Sequence, residues 1–419
     1  MRSSRRAAIV AAAMAALLPV TACGGEGGSG DNTVEVFTWW ADGGEKVGLD
    51  ALVGVFDTRC PAQTFENGAI AGGAGANAKQ VLASRLQTGS PPDTFQAHAG
   101  AELVDYIAAG QIEDLSSSYD DWGLREAFPP GLIDNLTYED KIYSVPANIH
   151  RANVVWTNKQ VLAKAGVTQA PTSMAEFVDA LDAVRASGVT APLAVGTDWT
   201  QLMLLETVLI TVLGPDEFTG LWSGDTDWRG AEVTKAIADY DRLLGYSNGD
   251  RDALDWTDAE RMLMNGRAGF QLMGDWEAAD LDAMGFRDYY GYFTFPGSGE
   301  TFQWLADSFT LPRGASNVDG ARCWLETVGS SDGQREFNTK KGSIPARTDA
   351  DPVNYPPYQQ SAMADWKTAT QVPSCAHGSA CSQGMQEAAN SAVAKFSTDH
   401  DAAALQNALA QAAEQFATS

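Results

Sequence analysis

The sequence predicts an α/β fold in which short strands alternate with helices, and three observations carry that prediction. Runs rich in β-branched and aromatic residues recur between segments with helical apolar spacing. A balance of 44% hydrophobic and 20% charged residues is that of an ordinary globular chain. At 419 residues the chain exceeds one compact core, yet no linker divides it once its N-terminal stretch is set aside. Two lobes would therefore be interleaved by chain crossovers, and layered α/β units favour largely parallel sheets.

Each element has a local reason. TVEVFTWW (33–40) alternates and is β-branched and aromatic, so it reads as a strand ended by Gly43-Gly44. Helical spacing follows over 46–56 and again over 79–86, where Gly89-Ser90-Pro91-Pro92 stops it, and 94–97 restarts as a strand. A helix over 103–109 precedes strands at 142–145 and 153–157, then a helix over 160–165 ended by Gly166. Thr172-Ser173-Met174-Ala175-Glu176 is a capping-box start to a helix reaching Ala186. A strand at 192–195, a long helix over 199–213 and a helix over 233–244 come next. The segment 258–264 leads into a strand at 268–273. The last third alternates strands (291–295, 308–311) with helices and closes on helices over 382–396 and 402–416.

The N-terminus is an address. Arg2, Arg5 and Arg6 precede an apolar run from Ala7 to Leu18, then Val20-Thr21-Ala22-Cys23, which reads as a signal over 1–22. The run is too short to span a bilayer as a helix. Cysteine after small residues resembles a bacterial lipobox, which makes Cys23 the expected lipid-bearing residue. Residues 23–32 then act as a Gly/Ser-rich tether. The expected product is exported and held at the outer face of the cell membrane.

Charge and composition narrow the function. The net charge of −26 becomes three units more negative when the signal leaves with its three arginines. Such a surface repels phosphate backbones, so nucleic acid is excluded as a partner. Twelve tryptophans against four histidines suggest flat apolar platforms for ring-shaped ligands. There is no H-E-x-x-H and no G-x-x-x-x-G-K-[ST], so neither a zincin nor a P-loop enzyme is indicated. With 54 acids, a glycosidase-like carboxylate pair carries almost no information. No catalytic residue, metal or cofactor is expected.

Beyond Cys23, four cysteines remain in an exported chain, which favours disulfides in one of three pairings. The short spacing of Cys375 and Cys381 favours a small loop there, leaving Cys60 with Cys323. Zinc held by Cys375, His377 and Cys381 would match no structural zinc spacing.

Several ordered segments resemble the extracellular solute-binding proteins of bacterial carbohydrate ABC importers, and most nearly their glucose-binding branch. They are VFTWWADGGE (36–45), SRLQTGSPPDTFQAHAG (84–100), VPANIHRANVVWTNKQVLAKAG (145–166), RAGFQLMGDW (267–276), ADSFTLPRGA (306–315), FNTKKGSIPAR (337–347) and VPSCAHGSA (372–380). PTSMAEF (171–177) also matches, with Met where that family usually has Trp. The resemblance implies a two-lobe, periplasmic-binding-protein-like (type II) fold with hinge crossovers and a sugar in the interlobe cleft. Lobe 1 would take 33–148 plus 305–345, and lobe 2 would take 149–304 plus 346–419. It also implies a monomeric receptor that hands a monosaccharide, glucose or a related aldohexose, to ABC permease subunits. A disaccharide or amino sugar is the alternative ligand, and a secreted glycoside hydrolase is the rival of a different class.

Site residues follow from that frame. Trp39 and Trp40 end a strand on opposite faces, so one should lie under a pyranose. Glu45 follows the Gly-Gly turn, where it would either accept sugar hydroxyls or offset a helix dipole. Gln96 and His98 alternate along one strand and point the same way into a polar cleft. Asn148, His150 and Arg151 lie at the first crossover, as hinge structure or ligand contacts. Trp276 resembles the family's second stacking aromatic. Asp307 would receive hydroxyl hydrogens, Lys341 would balance it, and His377 would be turned to the cleft by the Cys375–Cys381 loop.

Overall fold

The β-branched run over 33–37 forms the strand Thr33–Phe37, the middle of a parallel trio with Thr64–Asn67 and Thr94–His98. The helix Gly43–Arg59 connects the first two members, burying Leu49, Leu52 and Phe56. Two more strands, Asp307–Thr310 and Ser144–Pro146, complete a five-stranded sheet, both antiparallel to their neighbours. Their register sets Asp307 opposite His98 and Phe309 opposite Gln96. A four-stranded sheet runs in the order Tyr290–Thr294, Val154–Asn158, Phe270–Leu272, Leu193–Ala194.

This computed structural model describes residues 32–72 and 75–416. The predicted signal, Cys23 and the tether up to residue 31 lie outside the described residues. Among the described residues, no helix is long and apolar enough to cross a membrane.

The chain passes between these sheets near residues 147–153 and again near 295–306. His150–Arg151 and Thr301–Leu305 pair there and, with Thr370–Pro373, make a three-stranded sheet. Backbone bonds from Ala147 N to Asp307 O and from Ala152 N to Gln303 O hold the passages side by side. The helix Asp198–Leu213 is buried on every face from Trp199 to Ile210, as a central helix must be to tolerate so little polarity. Its one internal carboxylate, Glu206, is fully buried.

The expectation of largely parallel sheets needs correction, because both principal sheets are mixed. Alternation of strand and helix reports only on neighbours in sequence. Where a strand is recruited from about two hundred residues away, as Asp307–Thr310 is to Thr94–His98, no crossover helix dictates its direction. The strands Thr64–Asn67 and Thr301–Leu305 were not anticipated; the first is largely exposed, and the second, TFQWL, is buried on both faces. At the 174–186 helix, the Ser173 hydroxyl accepts from Glu176 N–H. The Glu176 carboxylate returns to Thr172 N–H, one residue earlier than a strict capping box.

The structure joins Cys60 to Cys323 and Cys375 to Cys381. The first bridge spans 263 residues and ties the helix after the first strand to the helix Val318–Gly329. Replacing both Cys60 and Cys323 by alanine should lower the unfolding free energy by about 2–5 kcal/mol. A guanidinium titration checks this, and an unchanged midpoint would show that the bridge does not stabilise the fold by restricting the unfolded chain.

Candidate functional site

Asp307 opens its strand at the second passage, fully inside the protein, and its carboxylate is surrounded by donors. Gln96 Nε2 donates to Oδ1 at 2.8 Å, and Asn148 Nδ2 donates to Oδ2 at 2.8 Å. Asp307 N–H returns a bond to Asn148 Oδ1 at 2.8 Å. His150 Nε2 lies 3.3 Å from Oδ2, and His98 Nε2 lies 3.9 Å from Oδ1. Burial alone would raise the pKa of this carboxyl. His150, Lys341 and His98 together outweigh burial and hold it well below the usual carboxylate range. Asp307 is an anion.

That anion faces a cleft of about 470 Å³, within the roughly 300–1,000 Å³ typical of small-molecule sites. The indoles of Trp39, Trp199 and Trp276 line it. Trp276 starts the helix Trp276–Ala283 and meets the rings of His150 and His377 edge-on, with centroids 5.1 and 5.3 Å away. Lys341, the last residue of the helix Ser331–Lys341, bonds Glu45 Oε1 at 2.8 Å. Its Nζ also lies 5.7 Å from the Trp276 ring centre, a cation–π distance.

Three histidines line the cleft, each held at Nδ1. His98 Nδ1 bonds Glu102 Oε2 at 2.8 Å, and Lys79 Nζ reaches the same oxygen at 2.8 Å. Burial pushes Glu102 up, but Lys79 and His98 outweigh it and set its pKa at about 2. His150 Nδ1 bonds Asp275 Oδ1. Burial works against its proton, yet Asp275 and Asp307 raise its pKa overall, which favours the imidazolium. His377 differs, because Nδ1 meets only the Ser374 hydroxyl, at 3.0 Å. Burial, then the neighbouring His98 and His150, push its pKa well below 6.5, so it is neutral.

The helix Gly43–Arg59 begins in close contact with Asp280. Asp280 accepts from Gly44 N–H, and a Cβ on Gly44 would fall 2.5 Å from Asp280 Oδ1. Behind Asp280, burial and its negative charge raise Glu260 to about 9, so Glu260 lines the cleft as a neutral acid.

Of the residues singled out in the sequence, Trp39, Glu45, His98, Trp276, Asp307, Lys341 and His377 all line this cleft. Two do not. Trp40 is fully buried and packs against Phe309 and Phe337, with ring centres 5.6 and 4.7 Å away, so it belongs to the core. Gln96 is used by the protein at both ends of its amide. Its oxygen accepts from Thr38 Oγ1 and Trp39 N–H, and its nitrogen donates to Asp307. Lys341 also departs from expectation, since its direct partner is Glu45 and it acts on Asp307 only through space. At the first crossover His150 reaches the cleft, Asn148 supports Asp307, and Arg151 is turned to Asp365 at 2.6 Å. Trp199, Asp280 and Glu260 were not anticipated, because all three sit in helices where a cleft-facing position looks like a core-facing one. The spacing G-x-S-x-G does occur at Gly329–Gly333, but its central Ser331 is the exposed first residue of the helix Ser331–Lys341, and Ser330 caps that helix by accepting from Gly333 N–H.

Comparisons with known proteins agree with this architecture. Residues 24–335 match the family model described as bacterial extracellular solute-binding protein. An uncharacterized ABC transporter extracellular-binding protein of Pyrococcus horikoshii is 33% identical over 88% of this chain and 84% of its own length. A probable sugar-binding periplasmic protein of Mesorhizobium japonicum is 29% identical over 87% of this chain and 88% of its own. Among solved structures, a chitin oligosaccharide binding protein superposes with a TM-score of 0.81 at 20% identity, covering 92% of this chain and 99% of that one. The two-lobe fold of such proteins is therefore the fold of this chain.

The ionised Glu102 behind His98 has a consequence for acid stability. Its pKa is about 2 in the folded state against an ordinary 4.5, so its stabilising contribution is complete above pH 4.5 and is lost as pH falls toward 2. The shift is worth about 3 kcal/mol. Glu102→Gln should remove that share of the acid-side slope in urea unfolding measured between pH 4.5 and 2. An unaltered slope would show that Glu102 is not ionised by its neighbours.

Proposed function

The chain belongs to the bacterial extracellular solute-binding proteins, and on that premise we propose that it is the sugar receptor of an ABC importer, with a monosaccharide as ligand. It is a binding protein and not an enzyme. The observation that carries the ligand reading is the buried Asp307 anion, set beside Lys341 and three imidazoles and flanked by the indoles of Trp39 and Trp276. An aldohexose such as glucose has what this arrangement wants. Its hydroxyls serve the charged groups, and its C–H face covers an indole without needing hydrogen bonds. Hydrogen bonds to charged groups, at roughly 1.5–3 kcal/mol each, and about 1 kcal/mol per aromatic face outweigh typical ordering costs. A neutral ligand also suits a chain of net charge −26, for which long-range attraction plays no part.

In this reading residues 33–148 with 305–345 form one lobe and 149–304 with 346–419 the other, hinged where the chain passes between sheets. The bond from Gly44 N–H to Asp280 and the cation–π contact of Lys341 with Trp276 then join the two lobes, and closure makes them. The cleft also extends past Trp276 to Trp256 and Glu260, which favours a disaccharide or amino sugar as the second reading. Cys23 is proposed to carry the lipid that keeps the protein beside its permease. Unchanged membrane association of Cys23→Ala would refute that anchor; its release or failure to be processed supports it.

Calorimetry against glucose, mannose, galactose, xylose, maltose and N-acetylglucosamine tests the ligand. Trp276→Ala should cost about 1–3 kcal/mol of hexose affinity by removing an apolar face. Asp307→Asn should cost about 2–4 kcal/mol, because the hydroxyls and His150 lose their anion. Tight maltose binding with silence toward glucose would replace the monosaccharide by the longer sugar. Wild-type glucose affinity in both variants would place the ligand elsewhere, and turnover of a labelled glucoside would contradict the receptor itself.

A further inference from the structure

The groups behind the three cleft histidines are not equivalent. His98 and His150 meet carboxylates directly, whereas His377 meets a hydroxyl that itself leans on a carboxylate. Ser374 Oγ donates to Glu206 Oε2 at 2.8 Å. Glu206 is already an acceptor for Gln303 Nε2 at 2.9 Å on that oxygen and for Cys375 N–H at 2.6 Å on the other. Ser374 has one proton, and it is committed to Glu206. Only lone pairs remain to face His377 Nδ1, so that nitrogen must carry the imidazole hydrogen. Nε2 is then bare. It is also buried, lines the cleft and has no hydrogen-bond partner among the described residues. The Cys375–Cys381 bridge and the bond from Glu102 N–H to Gly378 O hold the loop that carries the ring.

We infer that Glu206, acting through Ser374, is a positioning residue that locks His377 in the Nδ1-protonated tautomer, so that its bare Nε2 accepts a hydrogen bond from a ligand hydroxyl. The part concerning the ligand rests on the sugar-receptor reading; the part concerning the tautomer does not. The chemistry at this wall is then one-sided. A ligand hydroxyl satisfies it by donating, while an ether oxygen or a fluorine at the same place leaves two acceptors facing each other. Supporting carboxylates thus differ in what they present to the cleft: a direct pair at His150 favours a cation, and the serine relay at His377, a ring already neutral through burial, sets which nitrogen accepts.

The chain has only four histidines, so long-range proton–nitrogen spectra of the mature protein with ¹⁵N-labelled histidine are readable, with His377→Gln supplying the assignment. They are recorded without sugar at pH 8, above the value of about 7 to which burial raises Glu206 against its hydrogen bonds, so that its carboxylate is ionised. His377 should show a pyridine-like Nε2 and a protonated Nδ1. In Glu206→Gln, the amide oxygen keeps the Cys375 N–H bond and the amide nitrogen donates to Ser374, while Gln303 Nε2 loses its acceptor. The serine proton then turns to Nδ1, and the tautomer should reverse. Ser374→Ala, a smaller perturbation, should let the Nε2-protonated form appear even if Glu206→Gln does not fold. Glucose affinity should fall roughly tenfold in either variant, the loss of about one hydrogen bond. A wild-type His377 protonated on Nε2, or a tautomer indifferent to Ser374→Ala, overturns the relay. A tautomer that responds as described in a protein that binds no glucose upholds the relay and overturns the glucose reading.

Discussion

A carboxylate taken out of water must be answered by donors, and Asp307 is where this chain meets that demand. Its position at the head of a strand recruited from about two hundred residues beyond its partner strand, opposite His98, makes it the point where distant segments converge. Gln96 comes from one of those segments and Asn148 and His150 from another, and each finds in Asp307 the partner that makes its own burial tolerable. The mixed direction of the five-stranded sheet serves the same end. An antiparallel return sets the first residue of the recruited strand beside the last residue of Thr94–His98, at the edge where the cleft opens.

From that centre the polarity of the cleft is distributed by what stands behind each group. Asp275 makes His150 a cationic neighbour for Asp307, Glu102 holds Nδ1 of His98, and burial beside His98 and His150 keeps His377 neutral. Glu45 occupies Lys341. The side toward Glu260 is of another kind, a carboxylic acid held neutral by burial beside Asp280. The cleft therefore offers an anion, cations, an acceptor and a neutral acid within one small volume, and indoles supply the apolar surface between them. Hydroxyl groups, which both donate and accept, are the ligand chemistry that uses all of these.

Much of this was legible in the sequence, and the failures share a cause. Strand and helix positions followed from local spacing, and so did the capped start at Ser173, because each is decided within a few residues. Seven of the nine side chains expected at the ligand do face the cleft. Alternation showed that Trp39 and Trp40 diverge, but not which face the neighbouring Phe309 and Phe337 would cover. Gln96 lay on the right face and yet is consumed by Thr38, Trp39 and Asp307, partners visible only once the strands are paired. Trp199 and Glu206 sit in a helix buried on all sides, where no periodicity separates cleft from core. Pairing between distant segments is decided by packing, and local pattern is silent about it.

The most direct test of this account is a crystal structure of residues 32–419 grown with glucose. The ring should lie against the Trp276 indole, with one hydroxyl on Asp307 and another donating to His377 Nε2. A sugar lodged elsewhere, with Asp307 still bonded only to Gln96, Asn148 and His150, would contradict it. Asp307 would then be the anchor of a buried structural network and not the centre of a binding site.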